Sequence, residues 1–256
     1  MRIFESHAHY DDMRYNSDRD ELLASLKDFG VEYVINVGAD MQSSVKSLNF
    51  CNKYTFFYAA VGVHPHEAES MTDADIDILR EMAKNPRAIA IGEIGLDYFY
   101  DHSPRDIQLA RFKDQLKIAE ELKKPVIIHS RDASQQTYDV LAESSAGENG
   151  GVIHCFSQSA EMAVEYVKLG FHIGIGGVVT FPKARNVVEA VEKTPMEKLL
   201  VETDCPYLSP APHRGERNSS QYLRHIINKI SEIKQISPEE VAEITTANAK
   251  QLFGII

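Results

Sequence analysis

The chain has 256 residues, 43 % hydrophobic and 25 % charged, with a formal net charge of −11. That is the composition of a soluble globular protein, long enough to bury a large core without disulfides or a structural metal. The acidic balance argues against a long electropositive nucleic-acid groove but not against a phosphate-bearing substrate, because bound cations can invert the sign of a site. Cys51, Cys155 and Cys205 are the only cysteines and form no Cys-x-x-Cys pair, which argues against a disulfide framework and a thiolate zinc site. Cys155 and Cys205 adjoin candidate site residues; a buried inert thiol is favoured over a catalytic one. No run of about 18 apolar residues occurs, and Met1 to His7 carries no signal-peptide pattern. A cytoplasmic location, no membrane contact and no obligate protein partner are expected.

In chain order, short apolar runs of strand character cover residues 2–7, 33–37, 56–63, 88–93, 126–129, 151–154, 172–175 and 199–202. The stretches between them have helical periodicity. Ile107, Ala110, Phe112, Leu116, Ile118 and Ala119 mark one helix that begins just after Pro104. Ser159 caps another that continues through Met162, Ala163, Tyr166 and Val167. Residues 238–253 form a last helix containing Thr246-Ala247-Asn248-Ala249. Eight such repeats predict an α/β fold, a parallel sheet closed into a (β/α)8 TIM barrel, with residues 1–256 as a single domain. A doubly wound open sheet is the structural alternative. It would usually show a Gly-rich loop after an early strand, and Gly174-Ile175-Gly176-Gly177 comes late and incomplete.

The chemistry concentrates at strand ends. His7 and His9 are two apart at the end of the first strand, so both imidazoles can reach one cation. Ten histidines in the chain predict about one in the last three residues, or the following turn, of eight strands; His7, His9, His64, His129 and His154 are all there. Even halved to allow for the placing of those windows, the excess is poorly explained by chance. Glu93 ends the apolar fourth strand, where a carboxylate needs a cation or hydrogen-bond donors to offset its desolvation. Asp204 follows the eighth strand, just before Pro206. A dinuclear site at the C-terminal face is expected, with His7, His9, Glu93 and Asp204 on one divalent cation and Glu93, His129 and His154 on the other, Glu93 bridging. Zinc and manganese suit these donors, and magnesium fits if fewer imidazoles bind.

The succession His7-Ala8-His9, Gly62-Val63-His64-Pro65-His66, Gly92-Glu93-Ile94-Gly95-Leu96-Asp97, His129-Ser130-Arg131, His154-Cys155-Phe156-Ser157 and Glu202-Thr203-Asp204 resembles the TatD family of metal-dependent deoxyribonucleases over essentially the whole chain. The loop from Pro212 to Asn218 resembles the family's as well. The resemblance implies an amidohydrolase-like barrel that cleaves DNA phosphodiester bonds, typically as an exonuclease, by attack of a metal-activated water. It implies His7, His9, Glu93, His129, His154 and Asp204 as metal ligands. Two departures stand out. Glu5 replaces the usual Asp two residues before the first histidine and is expected to matter little. Gln158 stands where a glycine often follows the Cys-Phe-Ser run, and is expected to reshape a substrate-contacting loop.

Asp204 and Glu93 are the catalytic candidates, with Asp204 as general base. His64, Arg131 and Arg214 are candidates for holding phosphates, the arginines because a planar guanidinium can bind phosphate oxygens in pairs. His64 has the alternatives of positioning water, ligating a third metal, or simply being hydrogen-bonded at the mouth. His66 lies further out; His102, His172 and His225 read as structural or solvent-facing, and His213 is left open beside Arg214. Glu202 either buttresses the site or pairs with a lysine. The expected substrate is DNA, taken at ends or as single strands. The alternative function is an amidohydrolase-type hydrolase of a small amide or ester, which barrel fold alone does not separate from a nuclease. A non-catalytic binding protein is the third possibility, disfavoured by the completeness of the ligand set.

Overall fold

All eight expected strands form in the computed structural model, which describes residues 1–255: β1 Ile3–Ala8, β2 Val31–Val37, β3 Phe57–Val61, β4 Ala88–Asp97, β5 Val126–Arg131, β6 Gly151–Ile153, β7 His172–Ile175 and β8 Leu199–Val201. Neighbours in sequence pair in parallel in the order β1 to β8. The seam closes just past the strand ends, where Ala8 bridges Cys205, the His9 amide donates to the Cys205 carbonyl at 2.8 Å, and the Asp204 amide donates to the His7 carbonyl at 3.0 Å. The result is a (β/α)8 barrel. Its helices are α1 Arg19–Ser25, α2 Met41–Lys53, α3 Asp73–Ala83, α4 Arg105–Leu122, α5 Ser134–Glu143, α6 Ala146–Asn149, α7 Ala160–Lys168, α8 Arg185–Lys193, α9 Leu223–Lys234 and α10 Pro238–Leu252. As expected, Ser159 caps α7, accepting from the Met162 amide, and the last helix starts behind the Ser237 cap.

Side chains alternate across a strand, and the barrel uses that alternation in two layers. One buried cluster joins Phe4, Ile35, Ala60, Ala90, Ile127, Val152 and Leu200 inside the barrel, plugged from below by Phe253, whose ring stacks on Phe4 at 6.1 Å. Residues of the opposite parity, such as Val34, Ala59, Ile91, Ile128 and Ile153, pack outward against the helices. Two positions further along the inner face from Ala60, Ile127, Val152 and Leu200 come Gly62, His129, His154 and Glu202, so a core position is followed by a mouth position. On β1 and β4 the step from Phe4 to His7 and from Ala90 to Glu93 is three. The register shifts there, between Glu5 and Ala8 and between Ile91 and Ile94, and an extra residue resets which face the next side chain takes.

Helix α4 departs from expectation. Phe112, Leu116, Ile118 and Ala119 are buried as read, but Ile107 is only partly covered, Ala110 is exposed, and two glutamines take the buried face. Gln115 accepts from the Val63 amide at 2.7 Å and donates to the Val63 carbonyl at 3.0 Å. Gln108 does the same for Asp97, at 2.9 and 3.1 Å. Strand ends that have run out of neighbours keep their backbone groups paired this way. At the opposite end of the barrel, Asn248 of α10 donates to the carbonyls of Met196 and Leu199.

Candidate metal centre

The C-terminal ends of the strands open on a cavity of about 570 Å³ walled in part by His9, His64, Glu93, His129, His154 and Asp204. His7 is fully buried behind them, its ring stacked on His154 at 3.5 Å. Asp204 follows β8 with φ +54°, in the left-handed region that Asp enters more readily than most residues, and so turns back over the seam. Cys155 after His154 and Asp132 after Arg131 adopt the same region, at φ +44° and +52°.

Two sets of donors meet across Glu93. In the first, the Nε2 atoms of His7 and His9 are 3.0 Å apart; Glu93 Oε2 stands 3.3 and 3.7 Å from them, and Asp204 Oδ1 stands 3.9 and 3.5 Å from them. Four atoms around a tetrahedral cation at zinc distances are about 3.3 Å apart. In the second, the other oxygen, Oε1, is 2.8 Å from His129 Nδ1 and 3.6 Å from both His64 Nε2 and His154 Nε2. Three of the rings have a neighbour on the second nitrogen, whereas the buried His7 Nδ1 has no hydrogen-bond partner among the described residues. His9 Nδ1 donates to the Val37 carbonyl at 2.9 Å, leaving Nε2 a lone pair in the neutral ring. His129 Nε2 meets Asp97 Oδ2 at 3.0 Å, which turns Nδ1 toward Glu93. His154 Nδ1 lies 2.9 Å from Glu202 Oε1. A metal-ligating imidazole ordinarily has such a partner on its second nitrogen. His64 Nε2 apart, these are acceptor atoms crowded together in a buried place, and divalent cations are the groups they fit.

The electrostatics agree. Burial would raise the Glu93 carboxyl, but His154, His64 and His7 hold it well below the usual range, so it stays ionised. Asp204 is likewise lowered: burial opposes ionisation, and His9, His154 and His7 overcome it. Burial works against charge on His9 and His154, yet carboxylates raise them to about 9 and about 10, Asp204 and Glu93 acting on the first and Glu202 and Glu93 on the second. Burial and the neighbouring His154 keep His7 low. His64 falls well below its ordinary value through burial and His129, and its Nδ1 accepts from the His66 amide at 3.1 Å. The neutral ring therefore carries its proton on Nε2, aimed into the cavity as a donor. The Cys155 thiol is pushed well above its usual range by burial and Asp204, which makes it a poor nucleophile.

The structure brings together all six residues expected as ligands, together with His64 and, at the rim, Arg131. It does not bring Arg214 into the cavity: the guanidinium lies over the Phe181 ring at 3.6 Å, away from the metal donors. Gln158 is not in the cavity wall either. Glu202 proves to be a buttress, wholly buried, contacting His154 and accepting from the Cys155 amide. Sequence reasoning passed over Asp97, which grips His129 and His66 at 3.0 Å each, and it undervalued Glu5. Glu5 is fully buried, burial pushing its pKa up to about 7, and its oxygens accept from the His7 amide, the Thr203 amide and the Thr203 hydroxyl. It ties β1 to the loop after β8. A carboxylate within an otherwise largely apolar strand was the signal available for both.

Comparison with known proteins matches residues 4–254 to the family described as TatD related DNase. A metal-dependent hydrolase of Bacillus subtilis, YabD, described as uncharacterized, is 42 % identical over 253 residues, covering 99 % of each chain. The protein of Salmonella typhimurium named 3'-5' ssDNA/RNA exonuclease TatD is 33 % identical over 249 residues, 95 % of each chain. Among solved structures, the TatD homologue YJJV of Escherichia coli superposes with a TM-score of 0.94 at 29 % identity, over 100 % of this chain and 99 % of that one. With the barrel, the donor cluster and these relatives, the chain is a metal-dependent hydrolase and belongs to the TatD related DNase family.

Proposed function

We propose that this protein hydrolyses DNA phosphodiester bonds from chain ends, as an exonuclease, with two divalent cations held by His7, His9, Glu93, His129, His154 and Asp204. The observation that carries the reading is the division of Glu93, one oxygen facing each donor set. A pair of divalent cations, when bound, supplies Lewis acidity toward a phosphodiester and a more acidic water. The chain's own groups do the rest. Asp204 meets its histidines through Oδ1, which leaves Oδ2 to accept the proton of the attacking water. His64 offers an Nε2–H to a phosphate oxygen, and Arg131 offers a guanidinium at the rim. The names of the family and of the Salmonella relative support nucleic acid as the substrate class.

The test is hydrolysis of end-labelled DNA oligonucleotides by chelator-stripped protein resupplied with magnesium, manganese or zinc. Stepwise shortening from one end is expected. Turnover of a small amide or ester, with no oligonucleotide cleaved under any cation, would assign the site to the amidohydrolase class instead.

A further inference from the structure

Tyr100 lines the cavity, and it and the adjoining Phe99 leave 50 % and 55 % of their surface exposed. The Arg131 guanidinium lies over both rings, 4.1 and 4.7 Å from their centroids. Arg14, Arg105 and Arg217 each meet a carboxylate; Arg131 has none among the described residues, so its charge is available. From Tyr100 the rings continue inward: His66 meets its face edge-on at 5.4 Å and in turn reaches His64 at 4.3 Å. A chain of edge-to-face aromatic contacts thus leads from the metal donors to the rim, where His102 stacks on Tyr100 at 5.5 Å and Phe99 stands across Tyr100 at 88°.

The platform is fixed with respect to those donors. Asp97 Oδ1 accepts from the amides of Phe99 and Tyr100 at 3.0 and 2.8 Å, while Oδ2 holds His129 and His66. One carboxylate therefore sets both the aromatic turn and a metal-facing ring. The other side of the mouth has the opposite character. Asp11 and Asp40 line it without a cation partner among the described residues, and Arg14 there is taken up by Asp12 in a two-pronged pair. A polyanion is drawn to the Arg131 side and repelled from the Asp11 side.

We propose that Phe99, Tyr100 and Arg131 form a base-stacking platform that holds an unpaired nucleobase beside the scissile phosphate, Arg131 taking the adjoining phosphate. This rests on the reading of the site as a DNA hydrolase and adds that the protein recognises a strand end by its base. Aromatic faces and guanidinium planes stack on any base, and they require the base to be unpaired. The platform therefore selects single-stranded or frayed ends without selecting sequence.

The experiment compares kcat/KM on single-stranded oligonucleotides that carry either a normal base or an abasic tetrahydrofuran residue at the terminal or penultimate position. The metal-loaded wild type is set beside the double variant Phe99→Ala/Tyr100→Ala and the conservative Phe99→Tyr/Tyr100→Phe. Wild type should prefer the intact base at one of these positions by about tenfold or more, the size expected for one stacked base. The alanine pair should lose that preference and the conservative pair should keep it. Equal cleavage of intact and abasic ends by wild type overturns the platform while leaving the nuclease reading in place, as does a preference that survives in the alanine pair. Failure of wild type to cut any oligonucleotide removes both.

Discussion

Glu93 and Asp204 are both buried carboxylates among histidines, yet their loss should read differently. Glu93→Gln replaces an anion shared by two donor sets with a neutral amide. The expected outcome is near-complete loss of hydrolysis together with lowered metal stoichiometry by elemental analysis and an unchanged circular dichroism spectrum. Retained activity with full metal content would end the bridging role. Asp204→Asn keeps the volume and one coordinating oxygen but removes the proton acceptor, so kcat should fall by at least about 10²-fold with KM changed little. A defect confined to KM would make Asp204 a binding residue. Asp97→Asn, which touches no metal donor position itself, should cost about 10- to 100-fold in metal affinity or rate through misorientation of His129; measured metal affinity separates this from a purely structural role, which would move the unfolding midpoint alone. At this scale the sequence was highly legible, because histidines are scarce enough that five at strand ends stand out. Asp97 was in plain view in its motif, but nothing local says that its two oxygens serve two different neighbours. Arg214 lies outside the cavity wall, over Phe181, and its position in a loop did not tell which way its long side chain folds.

At the scale of elements, all eight strands could be read from apolar runs between helical patterns, since core-lining residues dominate a parallel barrel. Their inner faces could not be read throughout. A period of two carries Ile127 to His129 and Val152 to His154, but the irregularities in β1 and β4 break it before His7 and Glu93. A bulge needs its partner strand to be defined. Helix α4 begins just after Pro104 as read, but part of its buried face was missed for a related reason: glutamine looks like a surface residue until its two-sided amide is matched to one residue's N–H and C=O. Replacing Gln115 with alanine leaves both backbone groups of Val63 unpaired in the interior, at about 1–3 kcal/mol each. A stability loss of about 2–6 kcal/mol by urea unfolding is expected, with Gln115→Glu intermediate because it keeps the acceptor for the Val63 amide. A shift within experimental error would show that the clamp is dispensable.

Taken as a whole, the molecule is acidic yet gathers seven of its ten histidines around one cavity, and cation uptake should be linked to proton release. His9 and His154 are raised from 6.5 to about 9 and about 10 by nearby carboxylates, so without metal both hold protons at neutral pH. Because the folded values lie above the unfolded one, this contribution to the stability of metal-stripped protein is complete below pH 6.5 and fades as pH climbs through about 9 and 10. Cations compete with those same protons. Calorimetric titration with zinc or manganese in buffers of different ionisation enthalpy should therefore show net proton release at pH 7, and apparent affinity that strengthens as pH rises toward 9. Binding heats independent of the buffer would contradict this.

The seam of the barrel has a consequence for how the protein is made. His7 and His9 are synthesised well ahead of Asp204, their partner in one donor set almost two hundred residues behind, and the Ala8–Cys205 bridge that aligns them cannot form earlier. The set around Glu93 Oε1 is complete once His154 has emerged. The two donor sets therefore become complete in a fixed order during synthesis, and a chain that stops short of β8 lacks the seam and Asp204 together. Closure of the seam is therefore the step that completes the donor cluster.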